Sequence, residues 1–322
     1  MGGKHIVVVG SVNLDLVCSV ERIPTPGETV SGEKFQTFHG GKGANQAVAI
    51  ARLGTPTSMV AKVGDDAFGR GLRQGLHLAG VNVRAVTVVK RTSSGVALVW
   101  TDTCGQNSIV VIPGANGRLL PRDLDKAVPL LKSSAMILTQ LEIPFESVEY
   151  LATLAQRYHV PLMLDPAPAR QIPDPLMRRI TFLTPNETET GVLCGIRSEA
   201  LNAGTVPEIA RTLLSRGLQN VVIKMGGQGA YAATEGNGGG FVPAFKVAAV
   251  DSTAAGDAFN GGLAVALIQG KDLLAAARFG SAVAALSVTR MGAQPSMPSA
   301  REVSRFLKSP PPHVVTDGSP SP

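Results

Sequence analysis

The feature that most constrains this chain is a rhythm. From Pro121 onward, short apolar runs ("AMILTQLE", "VPLMLDPAPA", "ITFLTPNETE", "NVVIKMGGQGAYAAT") alternate with stretches whose apolar residues recur at helical spacing. One helix is expected over about 121–132, another from Pro144, and two more over about 256–269 and 272–289. Proline suits a first helical turn, where its missing N–H costs nothing. Near the start, "HIVVVG" (5–10) is a continuous apolar run ending in Gly, the pattern of a strand buried on both faces. Strands alternating with helices predict an α/β fold with a doubly wound, mostly parallel sheet. Two segments break the rhythm: "TPGETVSGEKFQTFHGG" and "SSGVALVWTDTCGQNSIVVIPGAN". Turn residues and partial alternation make them antiparallel strands, either an irregular edge or a small sheet covering a site.

In such sheets ligands bind beyond the carboxyl ends of the strands. Asn13, Asp15, Glu142, Asn186 and Gly226 all follow strand patterns, and that shared placement argues for one site. The 322 residues, 44% hydrophobic and 17% charged, can bury a sizeable core in one large α/β domain or two smaller ones. The net charge of +6 is spread along the chain, without the basic runs or aromatic interleaving expected of a nucleic-acid binder. No apolar run reaches the ~18 residues of a membrane span. Cys18, Cys104 and Cys194 are widely spaced and odd in number, which predicts reduced thiols in a cytoplasmic protein. The start, "MGGKHIVVVG", lacks the apolar core and cleavage signature of a secretory signal. "SPPPHVVTDGSPSP" reads as a disordered tail over 309–322, leaving one domain over 1–308.

Three stretches carry chemistry. In "AAVDSTAAGDAFNGGLAVALI" (248–268), Ala254, Ala255 and Gly256 lead into a helix whose first N–H groups lack helical partners. Those groups and the helix dipole can hold an anion such as a transferring phosphate. Asp257 stands beside them, either as a first-turn acid or as a base that takes the proton of an attacking hydroxyl. In "FHGGKGANQAVAIARLG" (38–54), Gly40, Gly41 and Gly43 open a helix that Gly54 ends. This stretch fits neither the P-loop nor the GxGxxG spacing. Lys42 and Asn45 could bond a polyol or face water. "KMGGQGAY" (224–231) is a hairpin turn whose backbone could also lie along a nucleotide.

"GSVNLD", "PTPGETVSG", "GGKGANQAVAIARLG", "GANGRL", "QLEIP", "DPAPAR", "TPNETE", "KMGGQGAY", "AVDSTAAGDAFNGGL" and "GAQPS" occur in this order over roughly residues 5–307. As a set they resemble the ribokinase branch of the family of carbohydrate and nucleoside kinases. Asp165 stands in "DPAPAR" where relatives carry Asn, a change of similar size. The resemblance implies a small β-sheet lid over about 12–40 and 93–112, and a homodimer formed through it. It implies ATP-dependent phosphorylation of the 5-hydroxyl of D-ribose, with another small sugar such as 2-deoxyribose or fructose, or a non-catalytic sugar-binding protein, as alternatives. Asn13, Asp15, Gly41, Lys42, Gly43, Ala44, Asn45 and Glu142 would hold the sugar, and Asp257 would be the base. Ala254, Ala255 and Gly256 would form the anion hole. Asn186, Lys224, Met225, Gly226, Gly227, Gln228, Gly229, Gly256 and Ser281 would line the ATP side. Mg²⁺ would travel with the phosphates, ordered through water by "NETE" (186–189). A K⁺ ion would be surrounded by Asp251, Thr253, Ser287, Arg290, Gly292 and Ser296. On the residues alone, Asp251 is a turn-capping acid.

Overall fold

The computed structural model describes residues 5–104 and 106–308. The tail expected over 309–322 lies outside the described residues. In chain order the strands are β1 (Ile6–Val9), β2 (Asn13–Val20), β3 (Gly32–Gly40), β4 (Thr57–Gly64), β5 (Asn82–Val89), β6 (Gly95–Thr101), β7 (Asn107–Ile112), β8 (Met136–Gln140), β9 (Leu162–Asp165), β10 (Phe182–Leu183), β11 (Asn220–Lys224), β12 (Gly229–Thr234) and β13 (Gly238–Pro243). The helices are α1 (Lys42–Arg52), α2 (Ala67–Leu78), α3 (Pro121–Leu131), α4 (Phe145–Arg157), α5 (Asp174–Met177), α6 (Glu187–Cys194), α7 (Val206–Ser215), α8 (Ala255–Ile268), α9 (Leu273–Ser287) and α10 (Ala300–Lys308).

The main sheet has nine strands in the order β13-β12-β11-β10-β9-β8-β1-β4-β5. All neighbours from β11 to β5 pair in parallel, and β12 and β13 add an antiparallel edge. Successive residues of β1 point to opposite faces. Ile6 and Val8 pack with residues of α1, α2, α8, α9 and α10, while Val7 and Val9 pack with residues of α3, α4, α5 and α7. All four are fully buried, so a continuous apolar run is what a strand with helices on both faces requires. The chain moves from β1 to β4 on one side and returns to β8 on the other. The β1/β8 boundary is therefore the topological switch point, where doubly wound sheets bind ligands.

The second sheet has four strands in the order β3-β2-β6-β7 and forms the small sheet expected as a lid. Here the structure corrects the expectation of wholly antiparallel strands. β2 pairs with β3 and β6 with β7 in antiparallel fashion, yet β2 and β6 run parallel. The reason is connectivity: β2 follows β1 and β6 follows β5, and both parent strands leave the main sheet in one direction. Apolar side chains are exposed on both faces of this sheet: the register puts Phe35 and Val110 on one face and Ile109 and Val111 on the other, all about half exposed or more. Between the two lid segments the chain forms β4, α2 and β5, a βαβ unit that the sequence analysis left unassigned. Among the described residues no helix is long and apolar enough to cross a membrane.

Candidate active site

The site gathers at the switch point. β3 ends at Gly40, and Gly41 turns the chain into α1 with φ 87°. The helix therefore starts at Lys42, and the three glycines act as strand end, cap and first turn. A Cβ on Gly41 would lie 2.7 Å from the Asn13 amide nitrogen, and one on Gly43 would lie 2.7 Å from that of Ser11. Only glycine lets α1 press against the end of β1. Just beyond β8, Glu142 answers from the other side. Its Oε2 accepts hydrogen bonds from Ser11 Oγ (2.5 Å) and from the Lys42 amide (3.1 Å). Asn116 bonds the Val12 backbone through both its oxygen and its nitrogen, and donates to Asn13 Oδ1 (2.7 Å).

Asp257 lies in the first turn of α8 and is 4% exposed. Asn45 Nδ2 donates to its Oδ2 and Gln46 Nε2 to its Oδ1, each at 3.0 Å. Burial raises its pKa to about 6, with Asp165 adding to the rise, while Lys42 and the two amides pull it down. Asp15, on the lid strand β2, is pushed up to about 7 by burial, then by Glu142 and Asp257. Lys42 is held charged: burial disfavours the ammonium, but Asp257, Asp165, Glu142 and Glu189 outweigh it. The expected sugar-side residues Asn13, Asp15, Gly41, Lys42, Gly43, Ala44, Asn45 and Glu142 thus come together with Asp257. The Ala44 contribution is its backbone amide, which donates to Ser11 O at 2.9 Å.

Alongside lies a cavity of about 320 Å³ lined by Lys42, Asp165, Asn186, Glu187, Glu189, Lys224, Gly226, Ser252 and residues 254–257. Asn186 and Glu189 cap α6 reciprocally, each side chain accepting the other's amide at 2.8 Å. Burial, followed by Asp165, raises the Glu189 pKa. Lys224 Nζ reaches Asp165 Oδ1 at 2.9 Å and would stand 3.5 Å from a Cβ on Gly256.

The helix start differs in detail from expectation. Ala254 takes the N-cap with φ 60°, a left-handed value, and no side chain caps the helix. The Ala255 amide already bonds Ser252 O at 3.2 Å, so the helical donors left open are those of Gly256 and Asp257. Of the remaining residues expected on the ATP side, Gly227 and Gln228 are exposed at the turn. Met225 is buried in the core, and Gly229 is wedged against Val242 O. Ser281 is buried on α9 and does not line the cavity.

The six residues expected around a cation fall on two adjoining segments, the loop before α8 and the stretch from the last residue of α9 to Ser296. Asp251 joins them, accepting from the Thr253 amide (2.9 Å) and the Gly292 amide (2.8 Å), and these bonds hold its pKa low against burial. The Val250 and Asp251 amides both donate to Val288 O. Ser287 and Ser296 donate their hydroxyls to backbone carbonyls, and the Arg290 guanidinium pairs with Glu302.

Sequence reasoning gave no role to Gln46, Gln140, Ser11 or Asn116, and noted Asp165 only as a departure from a motif. A signal for Gln46 was available: it interrupts the apolar residues of a helix buried from Gly43 to Ile50. A larger groove of about 640 Å³ lies between α2 and β5, lined by exposed Arg70, Arg73 and His77, away from these buried carboxylates.

A pfkB carbohydrate kinase family model matches residues 3–300. A ribokinase of Bacillus subtilis is 40% identical over 94% of this chain and 99% of that protein. A deoxyribokinase of Salmonella typhi is 38% identical over 94% of this chain and 98% of its own length. The structure of Arabidopsis thaliana ribokinase complexed with ribose and ATP superposes with a TM-score of 0.89 at 34% identity, covering 95% of this chain and 99% of the other.

Proposed function

The chain belongs to the pfkB family of carbohydrate kinases, and from that premise we propose that it transfers the γ-phosphoryl group of ATP to the 5-hydroxyl of D-ribose, giving D-ribose 5-phosphate. The observation that carries this reading is the position of Asp257. One buried carboxylate is bonded to Asn45 from the sugar side and begins the helix that opens onto the cavity. A pKa near 6 leaves it ionised at neutral pH, yet basic enough to take a proton as the oxygen attacks phosphorus.

Asn13, Asp15, Asn45 and Glu142 offer the paired acceptors and donors that the hydroxyls of a small polyol require. Lys42, charged and set between the sugar side and the cavity, meets the negative charge of the phosphoryl group in flight. The open amides of Gly256 and Asp257 meet it from the helix end. The lid strands carry Asn13 and Asp15, so seating the sugar draws the lid onto the site and excludes water.

Asn186, Glu187 and Glu189 fit a magnesium ion that arrives with the nucleotide and is held through water. When bound, that ion neutralises charge on the phosphate oxygens. The two segments that Asp251 ties together through the Thr253 and Gly292 amides suit a potassium ion, which would fix the backbone dipoles preceding α8. The exposed apolar side chains of the lid suit pairing with a second copy of the chain.

The test is ADP formation from ATP with Mg²⁺ and K⁺, comparing D-ribose, 2-deoxyribose, fructose and adenosine with a no-sugar blank. Turnover greatest with D-ribose is expected. The relative named as a deoxyribokinase gives 2-deoxyribose a specific claim. Turnover with that sugar alone would keep the mechanism and move the substrate. No turnover with any of the four would refute the kinase reading.

A further inference from the structure

One side chain in this constellation touches two of the carboxylates that line the cavity, Asp165 and Asp257. The Gln46 amide is 1% exposed. Its Nε2 donates to Asp257 Oδ1 and to Asp165 Oδ2, both at 3.0 Å, while its Oε1 accepts from Gln140 Nε2 at 2.7 Å. The reverse orientation would aim the amide oxygen at two carboxylates, so electrostatics fix the amide plane. A primary amide has two N–H groups, and both are consumed, one on each acid. The second oxygen of Asp165 holds Lys224, and the second oxygen of Asp257 holds Asn45. The result is an unbroken chain: Lys224, Asp165, Gln46, Asp257, Asn45.

This arrangement is costly for a purely structural role. Asp165 is 3% exposed, and burying it places a second negative charge next to Asp257. An apolar residue or an amide of the same size would fill the volume without that repulsion. A carboxylate does what neither can. It accepts from Gln46 and from Lys224 at once, and so fixes an ammonium group at the start of α8.

We propose that Asp165 is a positioning residue that anchors Lys224 beside the first turn of α8 and, through the Gln46 amide, fixes the orientation of the Asp257 carboxylate. The proposal rests on the reading of Asp257 as the base. The charged groups that face Asp257 from the surrounding elements are Lys42 on α1, Asp15 on β2, Glu142 after β8, Asp165 on β9, Glu189 on α6 and Lys224 on β11.

Two substitutions make opposite predictions. Asp165→Asn removes the neighbouring negative charge. It also forces a donor–donor contact on either Gln46 or Lys224, since both already donate at that position. The acid limb of the kcat profile then moves to lower pH, and kcat falls about 10-fold or more as alignment is lost. Gln46→Met removes the donor that favours the ionised acid while keeping the length of the side chain, so the limb moves to higher pH. A residue that merely supports the fold would shift both profiles alike or neither.

A ¹³C NMR titration of the Asp257 carboxyl carbon, identified by its loss in Asp257→Asn, reads the same shifts without turnover. Opposite displacements in the two variants are the expected result. An Asp257 titration unchanged in both folded variants would overturn the proposal. If Asp165→Asn does not fold, an unchanged titration in Gln46→Met alone overturns it. The two readings fail separately. Full activity in Asp257→Asn removes the base, while an unmoved carboxyl titration removes only the role of Asp165 and Gln46.

Discussion

Replacing Asp257 with Asn should make the protein more stable while removing its activity, and the stability gain should grow with pH. Burial displaces this carboxyl from 3.8 to about 6, net of the help from Lys42, Asn45 and Gln46. At about 1.4 kcal/mol per pH unit, that displacement corresponds to about 3 kcal/mol. The sign follows from which state holds the proton more tightly. Well below pH 3.8 the acid is protonated whether the chain is folded or not, and it contributes nothing. Above pH 6 it is ionised in both states, and the fold carries the whole cost. Between them stability falls as pH rises, with about half the cost in place at pH 5 and nearly all of it at pH 8.

Asn removes this cost but, having one side-chain oxygen where the acid has two, gives up one hydrogen bond, an opposing loss of about 1 kcal/mol relative to the protonated acid that does not depend on pH. The loss is limited because Asn45 Oδ1 is buried without a partner among the described residues and can receive the new amide after a rotation of its own side chain. Urea denaturation of both proteins at pH 5 and pH 8 is the assay. The variant should gain about 1.5 kcal/mol relative to the parent between the two pH values. Turnover should fall at least about 100-fold at pH 8. A stability difference that does not change with pH, or a variant less stable at pH 8 than at pH 5 relative to the parent, would refute the reasoning.

The other perturbations probe the surroundings. Asp15, with its pKa near 7, must ionise to accept two sugar hydroxyls, so the KM for sugar should fall as pH rises through about 7. Asp15→Asn should flatten that dependence, and a flat profile in the parent would argue against Asp15 as a sugar ligand. Gly41→Ala places a Cβ against the Asn13 and Ser11 backbone at a positive φ, and should cost about 2 kcal/mol or more along with sugar affinity. Gly54→Ala, also at positive φ but in open space, is the control and should cost about 1 kcal/mol with affinity unchanged; equal losses would discount the close approach. Asp251→Ala cuts the bonds to Thr253 and Gly292, and should abolish a rise in melting temperature that KCl gives the parent over NaCl at matched ionic strength. A parent that melts alike in both salts would count against the cation site.

Much of the architecture was legible because it rests on local rules. A run such as "HIVVVG" can satisfy four fully buried residues only as a strand covered on both faces, and Asn186 followed by Glu189 is a capping box wherever it occurs. The run of small residues before Asp257 likewise announced a helix start open to a ligand. The parallel pairing of β2 with β6 was not legible, because a strand's own pattern says nothing of its partner's direction. The βαβ unit over β4, α2 and β5 passed unassigned for lack of a chemical motif to draw attention to it.

By itself, then, the sequence determined the fold class, the resemblance that marks the family, and which residue types stand at the strand ends. Tertiary structure alone decided which of them share a hydrogen bond. Gln46 and Asp257 are separated by 211 positions, and Gln46 and Asp165 by 119, yet one amide bonds both. The reason is physical. Side-chain identity and periodicity are local properties, whereas desolvation, charge pairing and the geometry of a shared donor exist only once distant segments have excluded water from the space between them.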